Sequence, residues 1–378
     1  MSNPIRVLQV VTHMNRAGLE TMLMNYYRHI DRTKVQFDFL VHRFERAAYD
    51  DEIEYLGGII YRLPRLVPWS PTYLHALDQF FKQHPEYSIV HVHQDCMSSV
   101  ILKAAERNGI PVRIAHSHSS NQDKNFKYPI KLLYKHSIPK YATTLFACGQ
   151  IAGRWMFEVD NFQIINNAIN CSKYSFDKSR RRLMRTSLLI AEDTLVIGHV
   201  GRFSPPKNHD FLLDIFSSLH HQKPDSVLLL VGDGDLRPQI EKKAKDLGLS
   251  EHIIFTGVRS DVADLMQAMD VFVLPSLYEG LPVTMVEAQA AGLPCVISDK
   301  VPTDCILSDL VTQIPLTAST THWSETIVNS ITLRTDTFDV LCAAGFDIGI
   351  NSKKLEVFYL DAYHESKKNT ADSIYTGV

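Results

Sequence analysis

The sequence predicts an α/β protein built from two doubly wound, Rossmann-like halves. Three observations carry this. The apolar runs are short and unbroken, as at 5–11, 195–200 and 271–274, which is the pattern of parallel strands buried on both faces. Helix-forming stretches separate them, so strand and helix alternate through two regions of similar size. The chain has 378 residues, more than one ordinary core holds.

The first half opens with the strand 5–11, the loop THMNRAGLE and a helix at 21–30. Strand, glycine loop and helix begin a doubly wound domain. Gly18 lets the backbone approach a ligand, although an ordinary βα turn reads the same way. Strands are predicted at 37–41, 59–62, 89–93, 112–115, 144–148 and 163–165, with helices at 73–83 and 97–108. Two of these strands finish in His-x-His, at 91/93 and 116/118. They lie near the C-terminal strand ends, where open α/β sheets bind ligands. One ring of each pair is expected to face the crevice and the other the core, which disfavours a shared zinc ion. His116, first after its apolar run, is the functional candidate.

Residues 124–146 interleave five lysines with aromatic and aliphatic residues. Lys127, Lys131 and Lys135 share a helical face at i, i+4 and i+8. Two readings stay open: a surface helix docked on an anionic membrane, or a core helix with a solvated lysine edge. Residues 166–192 read as the connection between halves, and the basic run at 180–185 as solvated.

In the second half, strand 195–200 runs into GRFSPPKNHD. Arg202 and Lys207 stand at a strand end beside a helix start, where a planar fork and a point charge suit a diphosphate. A strand at 227–231 enters GDGD, where Asp233 and Asp235 fit tight-turn chemistry better than a metal pair. After a strand at 252–255, the backbone of Gly257, Val258 and Arg259 is placed to pass close to a base. A helix at 262–268 follows.

The most informative stretch is 271–299, VFVLPSLYEGLPVTMVEAQAAGLPCVISD, which reads as strand, loop, helix, turn and strand. Glu279 stands just before the helix and Glu287 about two turns inside it. A helix N-terminus attracts anions through its free N–H groups and its dipole. A phosphate there would lie between two carboxylates that cannot bind it and must read hydroxyls instead. A diphosphate flanked by two polyhydroxyl groups is a nucleotide-sugar. Beyond 299, residues 304–307 and 311–314 read as the sheet edge, 324–333 as a helix, and 346 onward as a charged terminal helix.

Composition excludes several classes. The net charge is −3, so no basic field calls for nucleic acid. Residues 1–165 carry 19 Lys+Arg against 15 Asp+Glu, and the remainder 20 against 27. Six cysteines without a CxxC pair argue against a disulfide frame or a thiolate zinc site. No run approaches the roughly 20 apolar residues of a membrane span. The expectation is a cytoplasmic protein, seated peripherally on the inner face of the plasma membrane if 124–140 docks there.

In order, Ala17-Gly18, His116, Gly201-Arg202…Lys207, Gly232-Asp233-Gly234 and Glu279-x7-Glu287 resemble the retaining family-4 glycosyltransferases of the GT-B fold. Within that family the chain is most similar to enzymes of bacterial exopolysaccharide, capsule or O-antigen synthesis, as IAHSHS and LQVVTHMNRAGLETMLMNYYRHID also indicate. The resemblance implies an acceptor-side domain over 1–170 and a donor-binding domain over 171–350, facing across a cleft. It also implies a helix at about 351–368 packing back on the first. The implied reaction moves a sugar, with retention, from a nucleoside-diphosphate donor (UDP by analogy) to a hydroxyl of a lipid-linked saccharide, without a cofactor or metal. Arg202 and Lys207 would hold the diphosphate beside Gly201. Glu279 would bond the donor sugar, Gly280 and Leu281 would offer backbone N–H groups, and Glu287 would accept from the ribose. His116 would line the reaction centre, and Gly18 would let the first loop close on the phosphates. Where the family often has two glycines in that loop, this chain has Ala17 first. Two alternatives share the fold, a nucleotide-sugar 2-epimerase and an inactive binding protein. A nicotinamide-dependent dehydrogenase lacks its GxGxxG.

Overall fold

A computed structural model describes residues 3–119 and 128–375, with side chains to 368. The chain divides into two compact units, 1–168 with 348–378, and 169–347. The first unit holds a parallel sheet of seven strands, in order β3-β2-β1-β4-β5-β6-β7. These are β1 (Ile5–Val11), β2 (Val35–Val41), β3 (Ile60–Arg62), β4 (Ile89–Val92), β5 (Val112–Ser117), β6 (Thr144–Ala147) and β7 (Gln163–Ile164). The unbroken apolar character of β1 has its reason here. Val7 and Val11 enter a core on one face with Met22, Tyr26 and Phe37. Leu8 and Val10 enter the core on the other face with Leu77, Ile101 and Val92.

The second unit repeats the plan with six parallel strands, in order β10-β9-β8-β11-β12-β13. They are β8 (Leu195–Val200), β9 (Ser226–Val231), β10 (Ile253–Phe255), β11 (Val271–Leu274), β12 (Cys295–Ser298) and β13 (Val311–Ile314). In each sheet the strand order reverses between two neighbours, β1 and β4 in the first and β8 and β11 in the second. Loops leaving the C-terminal ends of such a pair diverge and open the crevice in which doubly wound sheets hold ligands. The loops after β1 and β4 carry Gly18 and His93, and those after β8 and β11 carry Arg202, Lys207 and Glu279.

The helix Ile348–Tyr375 belongs to the first unit. Ile348, Leu355 and Tyr359 join its core, and the Asp31 N–H donates to Glu356 at 3.2 Å.

Several local expectations change. Residues 304–307 are no strand, since a 3-10 turn occupies Thr303–Cys305. The basic run is solvated only in part: Arg182 is exposed, whereas Arg181 and Arg185 both hold Asp270, at 2.6 and 2.7 Å, and donate to carbonyls ending the helix Val262–Ala268. Free carbonyls at a helix C-terminus attract cations, so this arginine pair is structural.

Candidate active site

In the second unit, the loops after β8 and β11 are tied together. The Leu277 N–H donates to the Pro206 carbonyl at 2.8 Å, and the Asn208 side chain donates to the Pro275 carbonyl at 3.0 Å. Asn208 is left-handed, at φ 55°, a conformation asparagine tolerates better than most residues. The reversal at Asn208 follows Lys207 directly and starts the helix His209–Gln222.

Lys207 Nζ lies 2.6 Å from Glu279 Oε1, and the Ser276 hydroxyl donates to the same oxygen at 2.6 Å. The two charged side chains are only 17% and 11% exposed. A Cβ at position 201 would come within 3.2 Å of Lys207 Cδ and 3.0 Å of His199 Nε2, so Gly201 makes room for the lysine stem. Arg202 is exposed and faces Asp235 at 3.6 Å. The resemblance assigns Lys207 to the diphosphate and Glu279 to the sugar of one donor, and folding brings the two side chains into contact.

Glu287 accepts a 2.6 Å hydrogen bond from the Tyr174 hydroxyl. Burial pushes the Glu287 carboxyl above the usual range, opposed by that hydrogen bond. Among the buried polar atoms of this unit without a protein partner are Thr284 Oγ1 in the first helical turn and His199 Nε2. Buried polar atoms left unpaired are uncommon and mark places where a ligand can complete the bonding. No side chain caps the helix Val283–Ala290. Gly257 is left-handed, at φ 70°, Val258 is exposed, and the Arg259 guanidinium is taken up by Asp261 in a two-point pair at 2.8 and 2.6 Å.

The first unit departs most from expectation. The two members of each His-x-His pair do not split between faces. The His91 and His93 ring centroids are 4.2 Å apart, and those of His116 and His118 are 4.0 Å apart. Side chains alternate with a period of two along a strand, so residues i and i+2 share a face. Both rings of a pair can therefore face one ion. Ring nitrogens of His91, His93 and His116 all lie within 4.8 Å of one another. All four rings are held neutral, since desolvation drives their pKa values down, to about 3 for His118. His116 is buried with Nε2 unpartnered. Gly18 begins the helix Gly18–His29, and a Cβ there would meet open space.

Lys135 does not offer its ammonium to a membrane. It is buried, paired with Glu158 at 2.7 Å and lies 4.9 Å from the Trp155 ring centre. A cation so placed gains from the ring face and the carboxylate together. Lys131 is half-buried, and Lys127 lies outside the described residues.

Ser276, Tyr174 and Asn208 escaped the sequence reading. Ser276 stands three residues before Glu279, a local signal. Tyr174 meets Glu287 across 113 positions and carries none.

Two doubly wound parallel-sheet units of this kind make up the GT-B fold. The chain belongs to the family-4 glycosyltransferases of bacterial polysaccharide synthesis. Residues 16–173 match the model of glycosyltransferase family 4, and residues 180–319 that of glycosyl transferases group 1. EpsF of Bacillus subtilis, named as a glycosyltransferase, is 39% identical over 87% of this chain and 88% of its own length. An Escherichia coli UDP-Gal:alpha-D-GlcNAc-diphosphoundecaprenol alpha-1,3-galactosyltransferase is 29% identical over 59% of this chain and 61% of its own. Among solved structures, Anabaena HepE in complex with UDP and glucose superposes with a TM-score of 0.75 at 18% identity, covering 94% of this chain and all of that one. A Rickettsia africae glycosyltransferase does so at 0.76 and 15%, covering 97% and 100%.

Proposed function

We propose that this glycosyltransferase moves a sugar, with retention of configuration, from a UDP-sugar to a hydroxyl of a lipid-linked bacterial saccharide. The observation that carries it is the Lys207–Glu279 contact beside an uncapped helix N-terminus at the β8/β11 switch point. A carboxylate next to a diphosphate repels it unless a cation stands between. Lys207 has three donors, so it can keep Glu279 and still reach a phosphate oxygen. Glu279, held by Lys207 and Ser276, then accepts from donor-sugar hydroxyls while Glu287 accepts from the ribose. Backbone N–H groups at Gly280 and Leu281 face the phosphate and sugar, and 257–259 passes the base. The UDP-Gal donor of the Escherichia coli relative and the UDP held by HepE support uracil as the base.

As the nucleoside diphosphate leaves, negative charge grows on its oxygens. In this scheme Lys207 and the helix N-terminus are fixed in advance for that charge, which is how such groups lower a barrier, and the exposed Arg202 adds a second cation. In this reading the two cations supply the charge a divalent ion would otherwise bring. The anomeric carbon becomes oxocarbenium-like, the acceptor hydroxyl attacks from the face the phosphate leaves, and the departing phosphate oxygen takes its proton. His116 and Gly18 belong to the acceptor-side unit in this scheme.

Among the described residues no helix is long and apolar enough to cross a membrane. The lipid-linked acceptor is what motivates a cytoplasmic protein seated peripherally at the membrane. The test is a thermal-shift screen of nucleotide-sugars, since a ligand stabilises the fold by RT ln(1 + [L]/Kd). The best binder is then incubated with and without a diphosphate-linked saccharide acceptor. Transfer only with acceptor supports the proposal. Turnover of donor alone to its epimer supports the 2-epimerase reading, and no turnover with tight binding an inactive binding protein. Failure to sediment with anionic vesicles at low salt would remove the membrane seat.

A further inference from the structure

His91, His93, His116 and His118 of the first unit form an ordered hydrogen-bond system with two residues that no sequence motif connects to them. The Gln9 amide nitrogen donates to the Tyr359 hydroxyl at 3.2 Å. That hydroxyl has a single proton, and its other partner is His91 Nδ1 at 2.7 Å. The buried hydroxyl keeps its proton paired only by donating to His91, and His91 then carries its own proton on Nε2. His91 Nε2 lies 3.2 Å from His116 Nδ1 and donates to it. The proton of His116 therefore sits on Nε2, the atom with no protein partner.

The other branch leaves the same glutamine. Gln9 Oε1 accepts from His93 Nε2 at 2.9 Å, so His93 Nδ1 is bare and accepts from His118 Nε2 at 2.8 Å. That leaves a lone pair on His118 Nδ1, again without a partner. Turning the Gln9 amide over would reverse every bond in both branches. One amide thus decides which unpaired end donates and which accepts, and the two ends are always of opposite kind. A ligand hydroxyl, which both gives and takes a hydrogen bond, matches such a pair.

We propose that Tyr359, together with Gln9, is a positioning residue that fixes His116 as an Nε2–H donor to a sugar hydroxyl. The C-terminal helix thereby contributes to the chemistry through its hydroxyl as well as to the core through its ring. The inference rests on the reading that His116 lines the reaction centre. A transition metal among His91, His93 and His116 is the competing account, because their nitrogens lie within 4.8 Å. Such an ion would need a bare nitrogen from each of the three rings, in competition with the hydrogen bonds they make to Tyr359, Gln9 and one another.

The test is Tyr359→Phe in the full chain, which keeps the ring against Phe37, 5.8 Å away, and removes only the hydroxyl. Nitrogen-15 NMR of labelled histidine is expected to show His116 as the Nε2–H tautomer in the wild type and as a mixture in the variant. The expected kcat falls roughly ten- to a hundredfold, the range for losing a group that orients a functional histidine, with donor KM unchanged. An unaltered His116 tautomer in Tyr359→Phe overturns the inference. So does one equivalent of tightly bound zinc in the purified wild type that His116→Ala abolishes. His116→Ala with full turnover would instead sink the reading on which it rests, while leaving the tautomer result standing.

Discussion

Replacing Lys207 with methionine separates two jobs that one side chain performs. In the folded protein its ammonium lies 2.6 Å from a Glu279 carboxylate that is only 11% exposed. Removing one partner of a fully buried pair costs about 3–5 kcal/mol, and an exposed pair is worth about 0–1 kcal/mol. This pair lies between those limits, and the Ser276 hydroxyl remains on Glu279, so the expected loss is about 2 kcal/mol. For a unit of this size that lowers Tm by about 4–8 °C. The catalytic loss has a different origin. One fixed charge on the departing diphosphate is worth roughly 10²–10³ in kcat. Adding Glu279→Gln to Lys207→Met removes the stranded carboxylate, so the double variant regains stability and stays slow. Calorimetric melting with steady-state kinetics on the three variants measures both. Near wild-type kcat in Lys207→Met refutes the leaving-group role. A double variant no more stable than Lys207→Met refutes the stranded-charge argument.

Arg202→Ala is expected to lower kcat by roughly 10²-fold with little change in Tm, because Arg202 is exposed and its ion-pair partner, Asp235, is more so. Glu287→Ala should chiefly weaken donor binding, and an unchanged donor Kd by calorimetry would contradict the ribose assignment. Donor affinity should also fall as pH drops through the raised carboxyl pKa of Glu287, and Tyr174→Phe should move that loss to higher pH by removing the bond that favours the carboxylate. Gly292 is left-handed at φ 64°, and a Cβ there would lie 2.2 Å from the Thr335 carbonyl oxygen. Gly292→Ala is therefore expected to destabilise the second unit by more than about 1 kcal/mol in urea titration. Stability should depend on pH through the buried histidines. Desolvation holds His42 and His199 at about 4, below the ordinary 6.5. The unfolded chain takes up their protons first, so stability is present above about pH 6.5 and is lost toward pH 4. Each group contributes about 1.4 kcal/mol per pH unit in that window, and a flat Tm between pH 7 and 5 would contradict their neutral burial.

The sequence by itself determined the strand–helix alternation, because a strand buried on both faces needs a continuous apolar run. Val271–Leu274 and Cys295–Ser298 were legible to the residue for that reason. It also determined Arg202, Lys207, Glu279 and Glu287 as candidates, since short loops at strand ends keep functional groups close in the chain. The helix-bearing lysine segment misled at Lys135, whose burial depends on Trp155 and Glu158 from another helix. The histidine pairs misled through a wrong assignment of faces, which strand periodicity alone corrects. Only the tertiary structure decided that Lys207 rests on Glu279, that Tyr174 holds Glu287, and that Gln9 and Tyr359, 350 residues apart, share one hydrogen bond. Local sequence cannot encode such pairings. They exist because parallel strands and a returning helix bring distant hydroxyls, amides and imidazoles out of water together, and each buried polar group must then find its partner in whatever the fold puts beside it.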